Sequence, residues 1–327
     1  MRLQRGPVQV WTDALDDELP VLVWSEIEAG PRPTRLELLR KRRKSVVYRL
    51  CGAGRGGSDV IAKKARWRDA VEERAAYELL DELKLGGLRY YGFAPGPERD
   101  YGWLFLEDAG SEPWDPDVET HRQAATRWLA SLHAASSRSR SARALADRDI
   151  RWIREHLYAA LGRVHASFTN PRLAPDARPV LDGTLEALYA VEACWSEIEE
   201  ACDALPRALV HCDLQEHNVR VVEDGGGVRI LVFDWEVAGW GLPAVDLIDL
   251  DLPAYAEIVR PEWPGVDLET LERSVKLGEI LRGGVIPGSW AARSLVTTWP
   301  ASAVSELAVY QRTIGQALDA LGWRKAG

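Results

Sequence analysis

The sequence is short of the residues on which several common chemistries depend. It has four cysteines, Cys51, Cys194, Cys202 and Cys212, with no C-x-x-C pair and no histidine–cysteine spacing of a metal site. That pattern argues against a zinc module or a disulfide framework and leaves four free thiols suited to a reducing compartment. No apolar run approaches the length of a membrane span. The first twenty residues carry Asp13, Asp16, Asp17 and Glu18 where a signal peptide would have its apolar core. The expectation is therefore a soluble, cytoplasmic protein. Positive charge is in the minority: 41 Lys and Arg against 50 Asp and Glu give a formal charge of −9. That balance disfavours a nucleic-acid-binding face and tolerates a cationic small molecule. No G-K-[ST] occurs, so there is no P-loop. Only seven residues are Lys and only two, Asn170 and Asn218, are Asn, which gives weight to any that falls inside a motif.

What is present is an ordinary globular balance, 46% apolar and 28% charged over 327 residues, a length that suits two lobes. Short branched runs at Leu36–Leu39, Ser45–Leu50 and Val60–Lys63 predict strands, and Val8–Trp11 and Val21–Trp24 read as two further short ones. Val71, Ala75, Leu79 and Leu83 recur at i+4 and predict a helix over Asp69–Leu83. Strand-like runs return at Leu88–Phe93 and Gly102–Leu106. Beyond Asp108 the pattern is mainly helical, over Thr120–Ala135, Arg148–Leu161, Pro179–Ala204 and from Leu268 onward. Ser136–Arg143 reads as a polar loop, and a strand-rich interruption covers Ala208–Val222 and Val228–Phe233. The composition thus divides the chain into 1–108, rich in strands, and 109–327, mainly helical. The fold class is α+β.

The chemistry lies in Leu209–Asp251. Val210-His211-Cys212-Asp213-Leu214-Gln215-Glu216-His217-Asn218 matches H-x-D-x-x-x-x-N, the catalytic-loop pattern of kinases. Asp234 follows Asn218 by sixteen residues, at the end of the apolar run Ile230–Phe233. Phosphoryl transfer needs a carboxylate to orient and deprotonate the attacking hydroxyl, and oxygen ligands for the Mg²⁺ that bridges the nucleotide phosphates. Asp213 suits the first task. A hairpin that returns Asp234 beside Asn218 supplies the second. The bland alternative is a hairpin whose His and Asn cap turns. It weakens because Val60-Ile61-Ala62-Lys63 upstream resembles the V-A-I-K strand whose lysine meets nucleotide phosphates. The following helix offers Glu73, or else Glu72, to hold that lysine.

Gly52-Ala53-Gly54-Arg55-Gly56-Gly57 fits G-x-G-x-x-G yet stands too close to Lys63 for a phosphate-covering loop. A full strand and a turn must separate such a loop from the lysine strand. These glycines are therefore expected to join two strands in an exposed hairpin. The turn facing the phosphates is expected one strand earlier, at Arg42-Arg43-Lys44-Ser45, with Ser45 offering its backbone N–H.

Together these residues resemble the aminoglycoside phosphotransferase and choline kinase family, a branch of the protein-kinase-like fold. The resemblance rests on Val-Tyr-Arg-Leu at 47–50, Val-Ile-Ala-Lys at 60–63, Glu73, Leu106-Glu107-Asp108, Leu132-His133, the His211–Asn218 loop, Asp234-Trp235-Glu236, and Gly241 with Asp246. It implies two lobes: a small strand-rich nucleotide-binding lobe at 1–108 and a larger helical catalytic and substrate-binding lobe at 109–327. It implies ATP or GTP as donor, Mg²⁺ as cofactor and a small-molecule hydroxyl acceptor. Asp213 then looks like the base, Asn218 and Asp234 like metal ligands, and Lys63 like the phosphate contact paired with Glu73. Backbone near Glu107 and Ala109 looks like the purine contact. His211 and Asp246 look like supports of the catalytic loop, and Glu236 lies near the metal without a defined role. The chain departs from the family where Gln215 stands in place of a frequent His, and where Arg42–Lys44 replace a small or Gly-containing turn. Asp249, Asp251 and Glu257 either line a cationic pocket or face solvent. The alternative reading is a catalytically degenerate kinase fold serving as a nucleotide-binding or scaffold module.

Overall fold

The computed structural model describes residues 9–12, 15–27, 31–225, 227–297 and 300–324. Val8, at the start of one apolar run, and Gly226, in the Glu223–Gly227 turn, lie outside the described residues. In chain order the elements are β1 (Gln9–Trp11), α1 (Leu19–Ile27), β2 (Arg35–Lys41), β3 (Ser45–Cys51), β4 (Val60–Arg66), α2 (Trp67–Leu83), β5 (Tyr90–Pro95), β6 (Tyr101–Glu107) and α3 (Glu119–Ser137). There follow β7 (Asp147–Arg148), α4 (Ile150–Ser167), α5 (Arg178–Ala193), α6 (Trp195–Cys202), β8 (Ala208–Val210), β9 (Val219–Asp224), β10 (Gly227–Val232) and β11 (Gly239–Gly241). The last are α7 (Leu252–Val259), α8 (Leu268–Ile280), a π-helical turn at Leu281–Val285, α9 (Ile286–Thr297) and α10 (Pro300–Ala320).

The chain forms two compact units, 1–124 with 214–238, and 125–213 with 239–327. Composition put the change at 108. The first unit runs further and takes in the β9–β10 hairpin because backbone bonds tie that hairpin to the segment after β6. Val221 N–H donates to Glu112 O at 3.0 Å, and Pro113 bridges to Arg220.

The first unit is built on an antiparallel sheet in the order β1-β2-β3-β4-β6-β5. Side chains alternate between faces. The row Leu38–Tyr48–Ala62–Phe105 marks one face and the row Val47–Lys63–Leu104 the other. The first face carries the core: Leu36, Leu50, Val60, Ala62, Trp103 and Phe105 close over Val23 and Trp24 of α1. Burying each of the larger of these side chains favours folding by about 1.5–3 kcal/mol. Val21–Trp24, expected as a strand, is helical. Pro20 stands in the first turn, where its fixed φ suits a helix. Pro20, Val23 and Trp24 are buried at i, i+3 and i+4.

The second unit is mainly helical. Val164, Leu181, Leu295 and Leu307 join α4, α5, α9 and α10 in one cluster, while Leu247, Tyr255, Trp263 and Leu271 anchor another. A three-stranded sheet sets β11 parallel to β7 and antiparallel to β8. The long helix expected over Pro179–Ala204 breaks at Cys194, whose φ of −109° separates α5 from α6. Ser136, expected at the start of a solvated loop, is buried inside α3 and accepts the Leu209 N–H at 2.9 Å. Among the described residues no helix is long and apolar enough to cross a membrane.

Candidate active site

Lys63 sits in mid-strand on β4, on the face opposite the aromatic core, and is 5% exposed. A lone ammonium at that depth would be strongly disfavoured. Its Nζ donates to Glu73 Oε2 of α2 at 2.7 Å and also to Asp234 Oδ1. Burial works against the lysine's charge, but Glu73, Asp234 and Glu236 outweigh it and hold the ammonium above its usual range. Burial pushes the Glu73 carboxyl up to about 7, against the pull of Lys63. Glu72, the other candidate, turns outward to Arg68 at 3.1 Å. Tyr77, one turn beyond Glu73, is buried and stacks on Tyr90 with ring centres 5.6 Å apart.

Asp234 reaches this cluster from the end of the β9–β10 hairpin. The ladder sets Val219 opposite Val232, and Phe233 N–H donates to Asn218 O at 3.0 Å. Asn218, buried at the end of a 3-10 turn, thus stands across the ladder one residue from Asp234. Asp234 has φ of +69°, a conformation that Asp tolerates better than most residues. It turns the chain out of the strand as its carboxylate meets Lys63. Trp235 is fully buried, its indole N–H on Val232 O at 3.3 Å. Burial, then Asp234, raises the Glu236 carboxyl, so Glu236 belongs to the same acidic cluster. An amide oxygen and a carboxylate are hard oxygen donors of the kind Mg²⁺ takes, although among the described residues no three His, Cys, Asp or Glu side chains group as a metal site. Asp234 faces two cations: its Oδ1 takes Lys63, and its Oδ2 lies 3.9 Å from Arg40 Nη2.

Ser45 opens β3 on the Lys63 face, and its carbonyl accepts the Arg42 N–H at 2.8 Å, which closes a tight turn over Arg42–Ser45. The glycines lie in the β3–β4 connection, as their spacing requires, but only Gly56 and Gly57 are exposed; Gly54, expected in an exposed hairpin, is buried against Ser58 and Tyr91. Gly52, Gly56 and Gly57 have positive φ, and Gly52 N–H donates to Asp59 Oδ1 at 2.9 Å. Glu107 ends β6, with its backbone N–H on Arg89 O at 2.8 Å. Asp108 is fixed by Arg49, Nε to Oδ2 at 2.5 Å, and Arg49 Nη1 also holds Glu37 at 3.1 Å. Ala109 follows, buried.

Asp213 belongs to the second unit, after β8. The buried Asp246 carboxylate accepts both preceding amides, His211 N–H at 2.6 Å and Cys212 N–H at 3.0 Å. Those bonds hold Cys212 at φ of +63°, a conformation that costs a non-glycine residue about 1–3 kcal/mol. His211 Nδ1 then accepts the Asp213 N–H at 3.2 Å. His133 Nδ1 and the Tyr255 hydroxyl share a hydrogen bond of 2.7 Å beside Asp246. Asp251 caps α7 by accepting Ala254 N–H, while Asp249 and Glu257 are exposed. His121, His156 and His165 make ordinary structural bonds, to Asp115 N–H, Trp152 O and the Tyr189 hydroxyl.

The structure thus gathers Lys63, Glu73, Asp234 and Glu236, sets Asn218 and Ser45 in the same unit, and fixes Asp213 by a separate network. The sequence reading missed Arg40. Only the alternation of β2 could have signalled it, and a register shift interrupts that alternation between Leu38 and Arg40.

The family model described as the phosphotransferase enzyme family matches residues 37–274. No curated protein matches the sequence. Choline kinase from Cryptosporidium parvum Iowa II is similar in structure over 92% of this chain and 93% of its own, at 12% identity and a TM-score of 0.61. Spectinomycin phosphotransferase APH(9)-Ia, solved with ADP and spectinomycin, is similar over 91% and 96%, at 11% identity and a TM-score of 0.60. A microcompartment-associated aminopropanol kinase is similar over 89% and 94%, at 14% identity and a TM-score of 0.58. At such identities the likeness shows the fold. It is the α+β, protein-kinase-like fold that the resemblance implies, with an antiparallel sheet in the amino-terminal part and a mostly helical remainder.

Proposed function

The chain belongs to the phosphotransferase enzyme family, and from that premise we propose that it is a small-molecule kinase moving the γ-phosphoryl group of ATP or GTP to a substrate hydroxyl. The observation that carries this reading is the buried Lys63 held at once by Glu73 and Asp234. A buried lysine paired with two carboxylates beside an amide is a cluster that folding alone does not favour, and such clusters mark functional sites.

In this reading Asp213 accepts the proton of the acceptor hydroxyl, and the Asp246–His211 support fixes its backbone so that the carboxylate is aimed before the acceptor arrives. Lys63 binds nucleotide phosphate while Glu73 keeps its ammonium in place. Asn218 and Asp234 hold Mg²⁺, which when bound neutralises charge on the phosphates. Ser45 offers its N–H to the phosphates. The backbone at Glu107 and Ala109 meets the purine, and Arg49 fixes Asp108 between them. The acceptor is a small hydroxyl compound. The net charge of −9 and the choline, spectinomycin and aminopropanol acceptors named for similar structures make amino alcohols and aminoglycosides the first to try. The four free thiols fit a cytoplasmic setting.

The test is a panel of hydroxyl acceptors with Mg²⁺ and ATP or GTP, scored by release of ADP or GDP. The reading predicts release that depends on an acceptor. Nucleotide binding with no release on any acceptor would favour the non-catalytic binding module instead.

A further inference from the structure

The turn between β2 and β3 lacks the glycines that would let backbone amides wrap a triphosphate; it reads Arg42-Arg43-Lys44-Ser45. Two features of β2 bear on what replaces them. The first is its irregularity. Glu37 pairs with Arg49 and Leu38 with Tyr48, but Arg40, not Leu39, pairs with Val47. Leu39 is the extra residue of a bulge. In a regular strand Arg40 would share the face of Leu36 and Leu38, the face that carries the aromatic core. Because the side-chain period is two, one extra residue moves everything after it to the opposite face. The bulge places Arg40 in the row Arg40–Val47–Lys63, on the face of Lys63 and two strands from it, about 10 Å at ordinary strand spacing.

The second feature is the state of the guanidinium. Arg40 Nη2 lies 3.9 Å from Asp234 Oδ2; the Arg40 side chain is 37% exposed, but its Nε is buried with no hydrogen-bond partner. Leaving a buried donor of a charged group unpaired is disfavoured. Lys63 cannot relieve it, being a cation already committed to Glu73 and to the other Asp234 oxygen. An anion with several oxygens would satisfy this donor, and a guanidinium fork fits phosphate oxygens.

We infer that Arg40, aimed by the Leu39 bulge, is a nucleotide-phosphate ligand that takes the place of a glycine-rich phosphate loop in this chain. The inference rests on the kinase reading and deepens it. Arg40 faces Asp234 across a long ion pair of 3.9 Å, and its fork is free to turn to the phosphate oxygens of ATP or GTP. The orphaned Nε–H then gains an acceptor.

The test is binding, without turnover. Wild type, Arg40→Gln and Arg40→Lys are titrated with ATP, GTP, adenosine and guanosine in EDTA, by calorimetry, after melting curves show that each variant is folded. The inference predicts that Arg40→Gln weakens the preferred triphosphate about tenfold or more and leaves the matching nucleoside unchanged, with Arg40→Lys in between. The same loss is expected when Arg40→Gln is added to Asp234→Asn, which removes the carboxylate that faces Arg40. Unchanged triphosphate affinity in Arg40→Gln overturns the inference and leaves the kinase reading intact. So does equal loss of triphosphate and nucleoside, or a loss that vanishes in the Asp234→Asn background, where Arg40 would have served only as a counter-ion. A wild type that binds neither triphosphate, with or without Mg²⁺, sinks the kinase reading and Arg40 with it.

Discussion

At the scale of the residue, conformations that cost energy sit next to the candidate chemistry, and each has a visible restraint. Cys212 takes a left-handed φ because Asp246 holds its amide and the one before it. Asp246→Ala strands two buried N–H groups and frees that backbone. It should destabilise the protein by about 2–5 kcal/mol and lower kcat more than it raises the nucleotide KM, read from melting curves and steady-state kinetics. An unchanged kcat would remove Asp246 from any supporting role. The cysteines make a second expectation. All four are buried and free. Burial, then Asp203 and Glu199, pushes the Cys202 thiol up to about 12, and burial raises Cys212 well above its ordinary value. Thiolate is the reactive form, so the native protein should resist a thiol reagent at pH 8 and expose all four groups on unfolding. The sign for stability follows: a thiol whose folded pKa is raised supports the fold at pH below about 9 and loses that support as pH climbs toward 12. Rapid native labelling would show that these sites open.

At the scale of the element, the instructive pieces are short connections. Gly54 has an ordinary φ of −87°, so conformation alone would let alanine stand there. Space does not: a Cβ would lie 3.0 Å from Ser58 O and closer to Ser58 Oγ. Gly54→Ala should therefore cost about 1–3 kcal/mol of stability yet leave the nucleotide KM unchanged, since this turn joins β3 to β4 and is not the phosphate turn. A raised KM with normal stability would put the nucleotide against these glycines. What the sequence disclosed was local. H-x-D-x-x-x-x-N, Val-Ile-Ala-Lys and the glycine count before Lys63 are fixed by spacing along one segment, and the structure keeps their order: lysine strand, glutamate helix, acidic hairpin. What stayed hidden depends on other segments. Val21–Trp24 reads equally as strand or helix until Pro20 and the sheet's aromatic face decide. Ser136 looks like a solvated loop until β8 arrives to use its hydroxyl. Arg40 changes face through one bulge, and no pattern along the chain marks where a strand will bulge.

At the scale of the whole molecule, the site residues divide between the two compact units. Lys63, Glu73, Asn218 and Asp234 belong to the first and Asp213 to the second. Each unit's share can therefore be tested separately. In the first, Asp234→Asn should weaken Mg²⁺–nucleotide binding far more than metal-free nucleotide binding, as a carboxylate ligand to a hard cation requires. Equal losses in the two titrations would make Asp234 structural. In the second, the claim on which the whole account turns is that Asp213 is the base. The most direct measurement is the turnover of Asp213→Ala on an acceptor that supports nucleotide diphosphate release by the wild type, set beside its nucleotide affinity. The account predicts a fall in kcat of about 10²–10⁴ with the fold and nucleotide affinity nearly intact. Wild-type turnover in Asp213→Ala would contradict it.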